Sequence, residues 1–186
     1  MKKMFKVTTK TIVATGLGAA LFALLFMYVK VPTGIPETEI QTAYGLGAFF
    51  AALFGPIAGG LIAFIGHALS DALQYGSPWW SWVIASGISM FLVGLVYPKM
   101  KVEEGEFGWK DLLRFNLYQI IANVIAWGVV APVLDIVIYA EPVAKVFTQG
   151  LVAGAWNMVS AGVIGSLLLF AYSKTRSKKG SLQKEE

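Results

Sequence analysis

His67, Asp71 and Gln74 lie in the stretch Gly66-His67-Ala68-Leu69-Ser70-Asp71-Ala72-Leu73-Gln74, at i, i+4 and i+7. On a helix that spacing puts all three on one face. His67 is the chain's one histidine. An imidazole and a carboxylate one turn apart can hold a polar ligand, or can pair and pin their helix to a neighbour. They do not make a metal set, because one His and one Asp are too few ligands. The same logic applies to Asn116, Gln119 and Asn123, at i, i+3 and i+7, with Trp127 continuing that face. Amides between apolar helices serve as interhelical hydrogen-bond partners. Asn116 is read in that role, whereas Asn123 is open to either that role or a ligand contact, and so is Asn157 beside Trp156. A pocket of Trp, Asn, His and Asp suits a small planar polar ring, held by stacking and a few hydrogen bonds.

The elements that must carry these residues are membrane spans. The 186-residue chain is 56% hydrophobic and 14% charged, against about 25% charged in soluble domains. A span takes about 20 apolar residues. Six such stretches read at about 9–29, 40–54, 57–75, 79–98, 112–134 and 146–172, separated by Gly55-Pro56, Gly76-Ser77-Pro78, a hydrophilic loop at 99–111 and a connector with Glu141-Pro142. The expectation is an all-α membrane protein, with six transmembrane helices in one bundle and a single integral membrane domain over 1–186. The first apolar stretch has no small-residue cleavage site before a polar start, so it reads as a retained span rather than a signal peptide.

Charge sets the expected orientation. Lys2, Lys3, Lys6 and Lys10 precede the first span, Lys99, Lys101, Lys110 and Arg114 flank the fourth-to-fifth loop, and Lys174, Arg176, Lys178, Lys179 and Lys184 fill the tail at 173–186. With six spans all of these share one side, and only Lys30 and Lys145 lie on the other. The positive-inside rule makes the first side, with both termini, cytoplasmic. The basic residues therefore read as orientation signals and not as a nucleic-acid surface. Trp79, Trp80 and Trp82 fit an outer interfacial belt. There is no cysteine, and no GxxxxGK[ST], HExxH or GxSxG motif, so neither ATP hydrolysis by a phosphate loop nor hydrolase chemistry is expected. No catalytic residue, cofactor or metal is expected. Asp71 reads as the lone acidic residue at depth, which argues against a membrane-embedded enzyme.

Span 1 carries small residues four apart, Gly16 with Ala20 and Ala19 with Ala23. Such rows let helices approach closely, either a partner protein or a helix of the same bundle.

The stretch Gln41–Ser86, QTAYGLGAFFAALFGPIAGGLIAFIGHALSDALQYGSPWWSWVIAS, resembles a family of small bacterial membrane proteins. NLYQIIANVIAWGVVAPVLDIVIYAEP and the ending LLLFAYSKTRSKKGSL extend the likeness to about Thr11–Leu182. These are the substrate-binding S components of energy-coupling factor (ECF) vitamin transporters, in the branch that carries the generic riboflavin label. The resemblance implies a multi-pass protein of the bacterial cytoplasmic membrane that binds a water-soluble vitamin or precursor near the outer face. It implies as partners a transmembrane coupling protein and two ATPase subunits. It implies that the S component topples in the bilayer, that Gly16, Ala19, Ala20 and Ala23 dock on the coupling protein, and that Val31–Glu39 is a lid.

The favoured ligand on this resemblance is hydroxymethylpyrimidine, a thiamine precursor. Riboflavin, cobalamin, pyridoxine and a methionine precursor stay open. The expected ligand-binding residues are His67, Asp71, Gln74, Trp80, Asn123, Trp127 and Asn157. In this reading Asp71 accepts from ligand amines, Asn123 and Asn157 orient the ring, and Trp80 and Trp127 stack on it. The alternative from another class is a stand-alone homo-oligomeric transporter or channel.

Overall fold

The computed structural model describes residues 4–176. Lys2, Lys3, Lys178, Lys179 and Lys184, which enter the orientation argument, lie outside them. The fold is all-helical apart from one small hairpin. Helix α1 (Thr9–Tyr28) leads into strands β1 (Lys30–Pro32) and β2 (Glu39–Gln41), which pair antiparallel with Val31 opposite Ile40. Then follow α2 (Ala43–Phe54), α3 (Pro56–Tyr75), α4 (Trp80–Lys99), α5 (Trp109–Tyr139) and α6 (Val143–Lys174). Five of these six helices are long and apolar enough to cross a membrane.

Local signals place the helix ends. Thr8 caps α1 through a reciprocal bond with Thr11, whose backbone N–H donates to Thr8 Oγ1 while Thr8 N–H donates to Thr11 Oγ1. This satisfies two of the donors that a helix start leaves unpaired. Gly55, at φ +92°, turns the chain between α2 and α3, and Pro56 opens α3 where its missing N–H costs nothing. Asp71 Oδ2 accepts the Trp79 backbone N–H at 3.0 Å just ahead of α4.

The exception in length is α2. Its 12 residues rise about 18 Å, short of the ~30 Å hydrocarbon layer. The stretch read from sequence as a span at about 40–54 is strand up to Gln41 and helix only from Ala43. Gly55, where α2 ends, lies beside the Met4 carbonyl. So α2 fills the half of the bundle near the N-terminus, and the hairpin covers the other half without a helix beneath it. That other half is the hairpin end.

Between the helices the packing is close. A Cβ on Gly66 would stand 2.9 Å from the Ala19 carbonyl, so α3 meets α1 backbone to backbone. Ala19 and Ala23 are buried inside the bundle, while Gly16 and Ala20 face outward among the exposed Ile12, Val13, Leu17 and Leu24. The small-residue row is therefore divided: only Gly16 and Ala20 stand free to meet a partner, because Ala19 and Ala23 are already packed. The core joins Phe22, Tyr44, Ile62, Met90, Phe115 and Trp127. Large apolar side chains on the outer surface face what would be lipid, which has no quarrel with them.

Helices α5 and α6 each contain one wide turn of π type, at Ala126–Val130 and Ala161–Gly165. In α5 the cause is Pro132, which has no N–H for the turn before it and crowds the carbonyl there. Trp127 sits in that wide turn. A Cβ on Gly150 would lie 2.3 Å from the Trp127 carbonyl, so only glycine lets α6 approach here.

Candidate functional site

The space left by the short α2 is a cavity of about 730 Å³ at the hairpin end, within the usual range for small-molecule sites. Each helix presents one stripe to it. From α3 come His67, Asp71 and Tyr75, one turn apart, and from α6 come Lys145, Gln149, Ala153 and Asn157 at the same spacing. Trp127 and Asp135 of α5, with Trp79 and Trp82 at the start of α4, make a third wall. Tyr44, in the first turn of α2, forms the floor, and the hairpin from Pro32 to Gln41 forms the roof.

The aromatic residues are mutually braced. Trp127 packs edge-on against Tyr44 at 5.5 Å and tilts against Trp82 at 5.3 Å. Phe26 of α1 lies on the His67 ring at 4.2 Å. Asn123 stands behind this wall and outside the cavity, fully buried. Its Oδ1 accepts the Trp127 indole N–H at 3.0 Å, and its Nδ2 donates to the Gln119 carbonyl at 2.8 Å. Asn123 thus aims Trp127 and does not itself reach the space. Asn116 donates to Ser166 of α6 at 3.1 Å, a bond between helices.

The second wall is organised by Asp135, a buried carboxylate with three side-chain donors. Trp79 Nε1 donates to Oδ1 at 2.7 Å, Trp82 Nε1 donates to Oδ2 at 2.6 Å, and Ser81 Oγ donates to Oδ1. Hydrogen bonds of this kind make a buried carboxylate tolerable. Asp71 is therefore not the lone acidic residue at depth. The span read from sequence at about 112–134 stops one residue short of Asp135, but α5 runs on to Tyr139 and carries it inward. Its partners lie more than fifty residues earlier in the chain, and the one sequence signal was a cluster of indole donors with no visible acceptor.

The α3 wall is less complete. Ser86 Oγ donates to the Trp82 carbonyl at 2.9 Å and lies 2.7 Å from both His67 Nδ1 and Tyr44 Oη. His67 Nε2 is 3.5 Å from Asp71 Oδ1, beyond a good hydrogen bond. Opposite, Asn157 is buried and its Oδ1 has no partner among the described residues; Gln41 Oε1 is in the same condition. Buried polar atoms are normally paired, and each that is not needs a reason.

Of the expected site residues, His67, Asp71, Trp127 and Asn157 line this cavity together. Gln74 does not, because the cavity stripe continues at Tyr75, four residues after Asp71, and leaves Gln74 beside it; it is exposed, donates to Ser70 Oγ at 3.0 Å and accepts from Lys30 at 3.3 Å. Trp80 does not line the cavity either, its ring lying 6.2 Å from Phe64 of α3, and Trp79 and Trp82 stand in the places expected of it. Among the described residues no three His, Asp or Glu side chains come together as a metal site.

The hairpin is held at both ends. Lys30 pairs with Glu39 at 2.7 Å. Burial works against the Lys30 charge, yet Glu39 holds its pKa above the usual lysine value. At the tip, Gln149 Nε2 donates to the Pro36 carbonyl at 3.0 Å and Lys145 pairs with Glu37 at 3.2 Å. Gly34 and Glu37 take positive φ there.

This architecture has known relatives. The model of the family described as "ECF-type riboflavin transporter, S component" matches residues 6–174. A UPF0397 protein of Exiguobacterium sp. is 56% identical over 178 residues, covering 96% of this chain and 97% of the relative. One from Enterococcus faecalis is 51% identical over 180 residues, covering 97% and 98%. One from Clostridium perfringens is 53% identical over 185 residues, covering the whole of both. With its membrane-crossing helices and a family match over nearly its whole length, this chain belongs to the ECF-type riboflavin transporter S component family of multi-pass membrane proteins.

Proposed function

We propose that this chain captures a water-soluble vitamin or vitamin precursor in the cavity beneath the hairpin, and hands it inward with an ECF coupling protein and two ATPase subunits. The observation that carries the reading is the pair of unpartnered buried amide oxygens, Asn157 Oδ1 and Gln41 Oε1, on the walls of a 730 Å³ aromatic cavity. A closed apolar cage would not retain such atoms, and a bound polar ligand would satisfy them. The hairpin end faces outward, which agrees with Lys99, Lys101, Lys110 and Arg114 at the opposite end and the positive-inside rule. The hairpin acts as a lid. Its latches at Lys145 and Gln149 are few and lie at its tip, so release costs little. The Gly16 and Ala20 face of α1 is where the coupling protein would sit.

The leading ligand is hydroxymethylpyrimidine. Its amine suits Asp71, and its flat ring suits Trp127 and the indoles of Trp79 and Trp82. Riboflavin is a second reading, because the cavity is roomier than one pyrimidine ring needs and the family's description names that vitamin. Uptake of labelled vitamins by cells expressing this chain tests the function. With the coupling protein and ATPases present, one vitamin should accumulate, and without them uptake should vanish. Undiminished uptake without them would identify a stand-alone transporter instead.

A further inference from the structure

We infer that the cavity reads its ligand through hydrogen-bond donors, and that Asp71 Oδ1 and His67 Nε2 form a two-acceptor clamp for a paired N–H edge. An aminopyrimidine, an amidine or a protonated amine presents such an edge. The inference rests on the ligand-binding reading of the cavity proposed above.

The reasoning is a proton count. Ser86 has one hydrogen and two lone pairs. Its hydrogen is assigned to the Trp82 carbonyl, an oxygen that can only accept, at 2.9 Å. With the hydrogen so assigned, the two neighbours at 2.7 Å, Tyr44 Oη and His67 Nδ1, donate to Ser86 Oγ. The proton of the neutral imidazole is thereby fixed on Nδ1, because the hydrogen bond made by one ring nitrogen decides the state of the other. Nε2 is left as a lone pair. It stands 3.5 Å from Asp71 Oδ1 with no hydrogen bond between them. Asp71 cannot turn that oxygen away, because its Oδ2 is held by the Trp79 backbone N–H at 3.0 Å. Two acceptors side by side on a cavity wall call for two donors from whatever occupies it.

The rest of the cavity agrees. The unpartnered atoms Asn157 Oδ1 and Gln41 Oε1 are also acceptors. Asp71, Asp135, Glu37, Glu39 and Glu141 line the space, against Lys145 at the rim, itself shared between Glu37 and Glu141. Nothing in this set favours a phosphate or carboxylate, so a phosphorylated form of the ligand is rejected. Ser86 and Tyr44 are positioning residues here, acting through the imidazole.

The single histidine makes the test direct. The full chain, labelled with ¹⁵N-histidine and purified in detergent without ligand, gives one pair of ring nitrogens by NMR at pH 7. The expected result is a protonated Nδ1 and an unprotonated Nε2. A proton on Nε2, or on both nitrogens, overturns the clamp. Ser86→Ala should shift the proton away from Nδ1, and an unchanged tautomer in that variant would also overturn the inference. Titration with hydroxymethylpyrimidine should move the Nε2 signal and weaken at least tenfold in Ser86→Ala. Binding seen by tryptophan fluorescence that leaves Nε2 unmoved contradicts the clamp. A lack of binding would remove that vitamin from the proposed function, while the tautomer still decides the clamp.

Discussion

The two buried aspartates of the cavity do opposite things. Asp135 is saturated: Trp79, Trp82 and Ser81 all donate to it, and it fixes the α4 wall against α5. Asp71 is half used: one oxygen receives a backbone N–H and the other faces the cavity beside His67. A buried carboxylate whose partners are all internal builds structure. One with an open oxygen on a cavity wall is built for a partner the chain does not supply. The same contrast separates the two asparagines, since Asn123 has both ends engaged and Asn157 Oδ1 has no partner among the described residues.

Breaking the saturated side should do the greatest damage. Asp135→Ala leaves two indole N–H groups and a hydroxyl unpaired, and removing one partner from such a buried charged network costs about 3–5 kcal/mol. The thermal midpoint in detergent should fall sharply and ligand binding should go with it. On the open side, Asp71→Asn keeps an oxygen for the Trp79 N–H. It should leave the midpoint nearly unchanged and weaken binding about 10- to 100-fold, as befits a charged hydrogen bond, read by calorimetric titration. Asn157→Ala should weaken binding about tenfold. It should leave the ligand-free protein equally or more stable, since it deletes an acceptor that has no internal partner. The smallest effects belong to Gln74→Ala and Trp80→Phe, which should change affinity by less than about threefold, the range of exposed contacts.

The helices were legible because a bilayer demands long apolar runs, and Gly55-Pro56 and Gly76-Ser77-Pro78 punctuate them plainly. The α3 stripe was legible too, because ionisable groups at helical spacing in an apolar run have few explanations. Its last member was not: Gln74 at i+7 and Tyr75 at i+8 both fit a helical period, and the cavity takes Tyr75. Asp135 was hidden by its place near the end of an apolar run, where a charge looks like the start of a loop. The three tryptophans at 79, 80 and 82 could not be sorted without the turn that opens α4, which brings the Trp79 and Trp82 indoles to Asp135 at the cavity and leaves Trp80 off it. In span 1, small residues line two faces, and a helix apolar all round does not reveal which face meets the bundle. The shortness of α2 mattered most for function, because it opens the cavity, and Ile40 and Gln41 read as helix until the hairpin pairs them.

The most direct test is a tryptophan-fluorescence titration of the purified chain with hydroxymethylpyrimidine, riboflavin, pyridoxine and cobalamin, run beside the Asp71→Asn/Asn157→Ala double variant. The cavity as described predicts that one of these binds the native chain at one per molecule and at least a hundredfold more weakly to the double variant, which stays folded. Equal affinity for a vitamin in both proteins would show that capture takes place elsewhere.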